Sequence, residues 1–213
     1  MSPVRLAWLA RLVGVGLALY LRLVVRTCRV IGPATRDQVV LTSWHEFNML
    51  TFVVARRRRG DLPHASFSTS GLRGAAITSM LKRSGTRVEV FELPPEEDRA
   101  AGRAFALRMA RAAESGASLI VTPDGPFGPY RVAKPGALIL ARASGLPVQP
   151  WAMSIRPTIR LRGRWDRQLV PLPFCRIRII EGERFTVPPR KPVRALVPVV
   201  EAELNRISGR SAA

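Results

Sequence analysis

Two short stretches of the chain carry side chains able to do chemistry. The first is Ser43-Trp44-His45, which follows the apolar run Val39-Val40-Leu41-Thr42. An imidazole with an ordinary pKa of about 6.5 can take a proton and return it at neutral pH. The second is Thr122-Pro123-Asp124-Gly125-Pro126-Phe127-Gly128-Pro129, which follows the apolar run Ser118-Leu119-Ile120-Val121. Each stretch has an ordinary reading on its own. A lone histidine at a strand end is commonly structural, and Pro-Asp-Gly is first of all a turn. Ser43 stands two residues before His45 without a Gly-x-Ser-x-Gly elbow around it, so no covalent nucleophile is evident. Cys28 and Cys175 have no Cys or His neighbours at metal-ligand spacing. That pattern predicts neither a zinc site nor a disulfide framework, and it suits a reducing compartment.

The elements that must position these stretches alternate. Strands are expected at 39–42, 65–69, 87–91 and 118–121, then at 148–153, 156–162 and 176–181. Helices are expected at 46–59, 72–83, from the acidic loop 94–98 to Ser115, at 135–144 and at 192–207. Gly60, Ser84-Gly85, Gly116 and Gly145 read as stops. Regular alternation of this kind predicts an α/β fold with a mostly parallel central sheet covered by helices on both faces. In such sheets sites gather beyond the carboxyl ends of the strands, where both reactive stretches fall. Arg56 to Arg59 read as a solvated helix end suited to the negative pole of the dipole and facing anionic headgroups. His64 reads as structural or exposed.

Taken together, the Trp-His pair, the Thr-Pro-Asp-Gly-Pro-x-Gly-Pro loop, Lys134-Pro135-Gly136, the run Leu140 to Pro147 and Pro150 resemble the lysophospholipid acyltransferase-like superfamily. The likeness is nearest to its small bacterial branch, which Trp165-Asp166 and Pro171-Leu172-Pro173-Phe174 also match. It covers about residues 20 to 190. The resemblance implies transfer of a fatty acyl group from a thioester to a hydroxyl of a lysophospholipid-like lipid, with no covalent enzyme intermediate. The donor would be acyl-CoA or acyl-carrier protein, used as co-substrate with no bound cofactor. It further implies His45 as general base, with Trp44 beside it and Asp124, Gly125 and Pro126 in the acceptor-binding loop. Pro147 and Pro150 would shape the acyl site, and Arg131 and Lys134 would meet a phosphate or CoA moiety.

Two positions depart from the superfamily pattern. The acid that orients the imidazole elsewhere, five residues after the histidine, is here Leu50. Asp124, approaching across adjacent strand ends, is the expected substitute, with Glu46 as the other candidate. Where relatives carry an Arg-Gly-Ser-like phosphate turn, this chain has Phe91-Glu92-Leu93-Pro94-Pro95, which leaves two readings: Arg73, Arg99, Arg103 or Arg131 takes that place, or the acceptor is not a simple phosphate monoester. These departures keep open an alternative: a non-catalytic lipid-binding or membrane-scaffold protein on the same fold.

Charge and the N-terminus indicate where such a protein works. The 213 residues hold 34 basic and 15 acidic side chains, a net charge of +19, and only three of the basic residues are lysines. An excess of this size points to an anionic partner. From Leu6 to Ile31 the chain is apolar except for arginines. On a helix, Arg11, Arg22, Arg26 and Arg29 fall within an arc of about 60°, with Arg5 beyond them and Trp8 and Tyr20 in the apolar remainder. That arrangement suits a helix lying in a lipid interface. Arg11 interrupts the apolar run that a signal peptide would need. The expectation is a membrane-associated helix over 1–31 and an acyltransferase-like α/β domain over 32–213. It would sit peripherally or monotopically at the cytoplasmic face of the membrane, with anionic lipid as partner. With 7% aromatic residues and no stacking motif, a nucleic-acid partner is not expected.

Overall fold

A computed structural model describes residues 3–33, 36–83, 87–95 and 97–212, without the side chains of 3, 4, 53, 56 and 210–212. The chain opens on α1 (Pro3–Thr27), followed by β1 (Arg29–Ile31) and β2 (Val40–Thr42). A 3-10 turn, His45–Phe47, leads into α2 (Asn48–Arg59). Then come β3 (His64–Ser68), α3 (Gly71–Arg83), β4 (Val88–Glu92), α4 (Arg99–Glu114), β5 (Ser118–Val121) and α5 (Gly136–Ser144). Two long strands, β6 (Val148–Arg160) and β7 (Leu169–Glu181), and α6 (Val197–Ala212) complete the chain.

The seven strands form one sheet in the order β1-β7-β6-β2-β5-β3-β4. Every neighbouring pair is parallel except β6 with β7. The protein is therefore α/β, with a mostly parallel sheet, flanking helices and an apolar N-terminal helix. All four residues of β5 are buried, as an unbroken apolar run at the centre of a parallel sheet requires. Gly145 closes α5 in the left-handed conformation with φ 70°, which glycine adopts without the steric cost of a Cβ. At the start of α4, Asp98 accepts the Ala101 N–H at 2.9 Å. The stop expected at Ser84-Gly85 and Glu96 of the acidic loop lie outside the described residues.

Three expectations are corrected. The N-terminal helix ends at Thr27 rather than Ile31. Residues 29–31 pair with β7 instead, so Arg29 leaves the helical stripe for the sheet edge. The strands expected at 148–153 and 156–162 are one strand, carried through Pro157 by a register shift between Arg156 and Thr158. Its partner β7 begins at Leu169 rather than Arg176, despite Pro171 and Pro173. Prolines are tolerated on a strand whose outer edge is unpaired, and β1 covers β7 only at Arg176–Arg178.

The run Arg56 to Arg59 is a solvated end only in part: Arg57 is exposed and Arg58 half-buried, yet both donate to nearby carbonyls. Arg57 donates to the carbonyls of Val25 and Cys28, and Arg58 to those of Gly32 and Pro33. Arg59 is buried and donates to the Asp37 carbonyl and the Ser118 hydroxyl. These guanidinium groups satisfy carbonyls at the end of α1 and along the link to β2. The side chain of Arg56 lies outside the described residues.

Helix α1 has two characters. Ala18, Leu21 and Val24 are buried in the core, and a Cβ on Gly14 would fall 2.3 Å from the Ala76 carbonyl, so α1 and α3 touch backbone to backbone. Away from that contact, Trp8, Leu9, Leu12, Val13, Leu19 and Leu23 are exposed. Within Arg5–Thr27 an 18-residue window has a mean hydropathy of 1.7 and only 22% of it is buried. One sector of the helix thus packs on the domain, and a second apolar sector faces outward beside Arg11, Arg22 and Arg26. This is one N-terminal helix apolar enough to associate with a membrane.

Candidate functional site

The site forms where β2 and β5 end side by side, in register at Thr42 and Val121. The chain leaving β2 turns at Trp44 into the 3-10 turn that presents His45. The chain leaving β5 turns through Asp124-Gly125, with Gly125 at φ 65° and its N–H donated to the Thr122 carbonyl. Asp124 is buried and accepts the backbone N–H of His45 at 3.0 and 3.3 Å through its two oxygens. The two reactive stretches therefore meet, as expected.

Their roles differ from the expectation. Asp124 holds the backbone of His45, and the imidazole is oriented by Asp166. His45 Nδ1 lies 2.9 Å from Asp166 Oδ2. Asp166 stands in the β6–β7 hairpin, itself fully buried. It also accepts Arg164 Nε at 2.9 Å and Nη2 at 2.8 Å, and the Gln168 N–H at 3.3 Å. Burial alone would raise the Asp166 pKa, but the hydrogen bonds from His45 and Arg164 outweigh it and hold the carboxyl well below the usual range. An ionised carboxylate only accepts, so Nδ1 carries the ring proton and a neutral His45 has its lone pair on Nε2. Among the described residues Nε2 has no hydrogen-bond partner.

Asp124 differs from Asp166 in charge as well as position. Burial pushes its pKa up to about 6, against the opposing pull of the His45 N–H and of nearby donors. No cation pairs with it among the described residues.

The other candidate, Glu46, does not reach the imidazole. It is buried between Arg131 and Arg160, with Arg131 Nε at 2.9 Å, Arg160 Nη1 at 2.7 Å and the Tyr130 hydroxyl at 3.1 Å. Gln168 Nε2 donates to its main-chain carbonyl at 2.8 Å. A buried carboxylate needs such a complete set of donors. Here the set ties the 3-10 turn to both the Asp-Gly loop and the hairpin. Arg131 is thus engaged by Glu46, not presented to a substrate phosphate.

His45 lines a cavity of about 320 Å³, near the lower limit for small-molecule pockets. Its walls are largely apolar: Leu17 from α1, Met49 and Phe52 from α2, Phe67 from β3, and Ile77 and Met80 from α3. The polar lining near His45 includes Thr122, Arg73, Arg164 and Gln168. Among the residues expected to bind substrate, Pro126 lines this cavity. Trp44 does not; it is fully buried in the core. Gly125 packs 3.5 Å from Lys134, measured from where its Cβ would stand. Pro147 accepts the Val40 N–H, and Pro150 lies within β6 opposite Thr42. Those residues build the frame rather than the cavity wall. Leu50, five residues after His45, is buried in the core. Ser43 is buried and shares a 3.3 Å hydrogen bond with Thr51. No cluster of metal-ligating side chains occurs among the described residues.

The hairpin contributes what sequence reasoning left without a role. Trp165 sets its ring 5.0 Å from that of His45, centroid to centroid. A Cβ on Gly128, which has φ 79°, would come within 2.7 Å of the Trp165 ring. The one signal for this hairpin in the sequence is Trp165-Asp166 itself, 121 residues from His45, a separation that no spacing rule can read.

Fold and site together define a class: an α/β protein whose mostly parallel sheet carries a buried His–Asp pair beyond its central strands, beside an apolar cavity. No family model matches the chain. A 67-residue stretch is 39% identical to the uncharacterised protein RP090 of Rickettsia prowazekii (strain Madrid E), covering 32% of this chain and 30% of that protein.

Proposed function

We propose that this protein is a membrane-associated O-acyltransferase of the lysophospholipid acyltransferase type. The observation that carries this reading is the His45–Asp166 pair at the wall of an apolar cavity. His45 Nε2 takes the proton of a lipid hydroxyl as its oxygen attacks the carbonyl carbon of an acyl thioester. The tetrahedral intermediate collapses with cleavage of the C–S bond, and the imidazolium returns its proton to the departing thiolate. Asp166 fixes the tautomer and stabilises the imidazolium, while Arg164 keeps Asp166 ionised. The acyl chain occupies the apolar cavity. The outward sector of α1 rests in the interface of the cytoplasmic membrane, where Arg22 and Arg26 meet anionic lipid.

The test is an acyl-transfer assay with acyl-CoA and acyl-carrier protein as donors and a panel of lysophospholipids and related lipids as acceptors. Wild type is compared with His45→Ala and Asp166→Asn, both verified as folded. Transfer that depends on both residues is expected. Equal turnover in the folded variants would remove this mechanism. Co-purified lipid with no turnover on any donor would favour the non-catalytic lipid-binding alternative.

A further inference from the structure

Helix α3 stands between two chambers of opposite character. Ala76, Ile77 and Met80 face the apolar cavity beside His45. Gly74, Ala75, Thr78, Ser79 and Lys82 recur at helical spacing on its other side and line a larger cavity of about 580 Å³ between α3, β4 and α1. This second chamber is basic and of mixed polarity, with Val90 and Phe91 on its β4 side. It presents Arg11, Lys82 and Arg83 against a single carboxylate, Glu92, together with a row of hydroxyls. Arg83 is steadied by the Ser79 hydroxyl at 3.1 Å, while Arg11 and Lys82 make no ion pair among the described residues. Ser68 and Thr69, at the end of β3, line both chambers. The two spaces therefore adjoin over the first turn of α3.

The distance along this second chamber selects its ligand. From Gly71 to Arg83 the helix has 13 residues and rises about 18 Å. Cations at the far end stand about 18 Å along the helix from the first turn, where the two chambers adjoin, farther than the span from a hydroxyl to a phosphate one glycerol carbon away. They are well placed for phosphates carried at the end of a pantetheine arm, the long polar half of an acyl-CoA. We propose that the chamber between α3 and β4 is the donor's phosphate site. The acyl chain enters the apolar cavity, the thioester lies beside His45, and the arm crosses Ser68-Thr69 to set its phosphates among Arg11, Lys82 and Arg83. Hydroxyls along the groove match the amides of the arm, and guanidinium and ammonium groups match its terminal charge. Naming the ligand a thioester donor rests on the acyl-transfer reading; the anion site itself rests on the chamber.

The experiment is calorimetric titration of the full chain in nanodiscs with coenzyme A and with pantetheine, which lacks the phosphates. Wild type is expected to bind coenzyme A at least about tenfold more tightly than pantetheine, with the difference shrinking as salt rises. In a Lys82→Ala/Arg83→Ala variant, checked by thermal melting, coenzyme A should fall to the level of pantetheine, and Lys82→Arg should retain most of the difference. His64→Phe, away from both chambers, should leave both affinities unchanged. Equal coenzyme A affinity in wild type and the double variant would overturn the proposal. So would a lysophosphatidate that displaces coenzyme A only when Lys82 and Arg83 are present, since the site would then belong to the acceptor. Binding that needs Lys82 and Arg83, without His45-dependent transfer, would keep the site and remove the acyl-transfer reading. Transfer with coenzyme A affinity untouched by the double variant would do the reverse.

Discussion

The chain's two histidines occupy opposite edges of one sheet and are both buried. His64 opens β3 at the amino edge, in register with Ser118 at the start of β5. Its surroundings offer burial and the cation Arg59, and burial first, then that cation, push its pKa down to about 4. It is neutral at any ordinary pH and borders no described cavity. His45 lies beyond the carboxyl edge, with a carboxylate on Nδ1 and an apolar cavity on its other side. Burial alone makes an imidazole a spectator. Burial with an ionised partner on one nitrogen and space at the other is what the proposed general base requires.

The comparison can be broken most sharply by activity. His45→Ala should lower acyl transfer by about 10²- to 10⁴-fold, the usual span of general-base catalysis, while His64→Phe leaves the specific rate unchanged. A His64 variant as impaired as the His45 variant would erase the distinction. Next in size is Asp166→Asn, which keeps the shape but withdraws the charge that fixes the tautomer. A loss of about 10³-fold in kcat with little change in KM is expected.

Stability against pH sharpens the contrast further. Folded His64 resists protonation down to about pH 4, whereas an unfolded chain takes up that proton near 6.5. Its contribution is therefore complete above pH 6.5 and is lost as pH falls toward 4, amounting to about 3 kcal/mol. His64→Phe should flatten denaturant-derived stability across that window. Asp124 acts in the opposite sense, because its folded pKa is raised to about 6. Its contribution is present below the unfolded value near 3.8 and is lost as pH rises through 6. Asp124→Asn, whose amide oxygen can still accept the His45 N–H, should gain on wild type between pH 4 and 7 by at most about 3 kcal/mol. A constant difference between the two proteins across that range would refute the raised pKa.

The smallest effects concern arginines instead of histidines. Arg22→Gln and Arg26→Gln, on the outward edge of α1, should each weaken binding to anionic vesicles about fivefold, equivalent to roughly 1 kcal/mol per residue. Arg58→Gln should lower thermal stability and leave vesicle binding as it was. The reverse pattern would show that the contact surface is elsewhere.

How far the sequence anticipates this molecule depends on the range of each interaction. Apolar runs such as Ser118 to Val121 and helices closed by glycine are local signals, and the alternation they produce leads directly to a mostly parallel sheet. Asp124 beside His45 follows from adjacent strand ends, which makes the meeting legible and the role not. Which oxygen meets which nitrogen depends on how the 3-10 turn rotates the ring away from the Asp-Gly loop. Asp166 belongs to a hairpin whose strands the prolines disguise, and its partner is distant in sequence. β1 is three residues at the end of an apolar helix, where period alone cannot separate helix from strand. Burial of Arg59 is equally invisible, because it donates to a backbone carbonyl and a hydroxyl rather than to an acid.

Those carbonyl contacts bear on the chain's most unusual number. The guanidinium groups of Arg57, Arg58 and Arg59, from exposed to fully buried, tie the end of α1 and the link after it to the sheet. A planar fork can span two carbonyls of a turning backbone where a single ammonium meets them less well, a reason for so few lysines. At Arg59 one of the charges behind the formal +19 is interior, and the arginines beside it act as structural ties as well as surface charge.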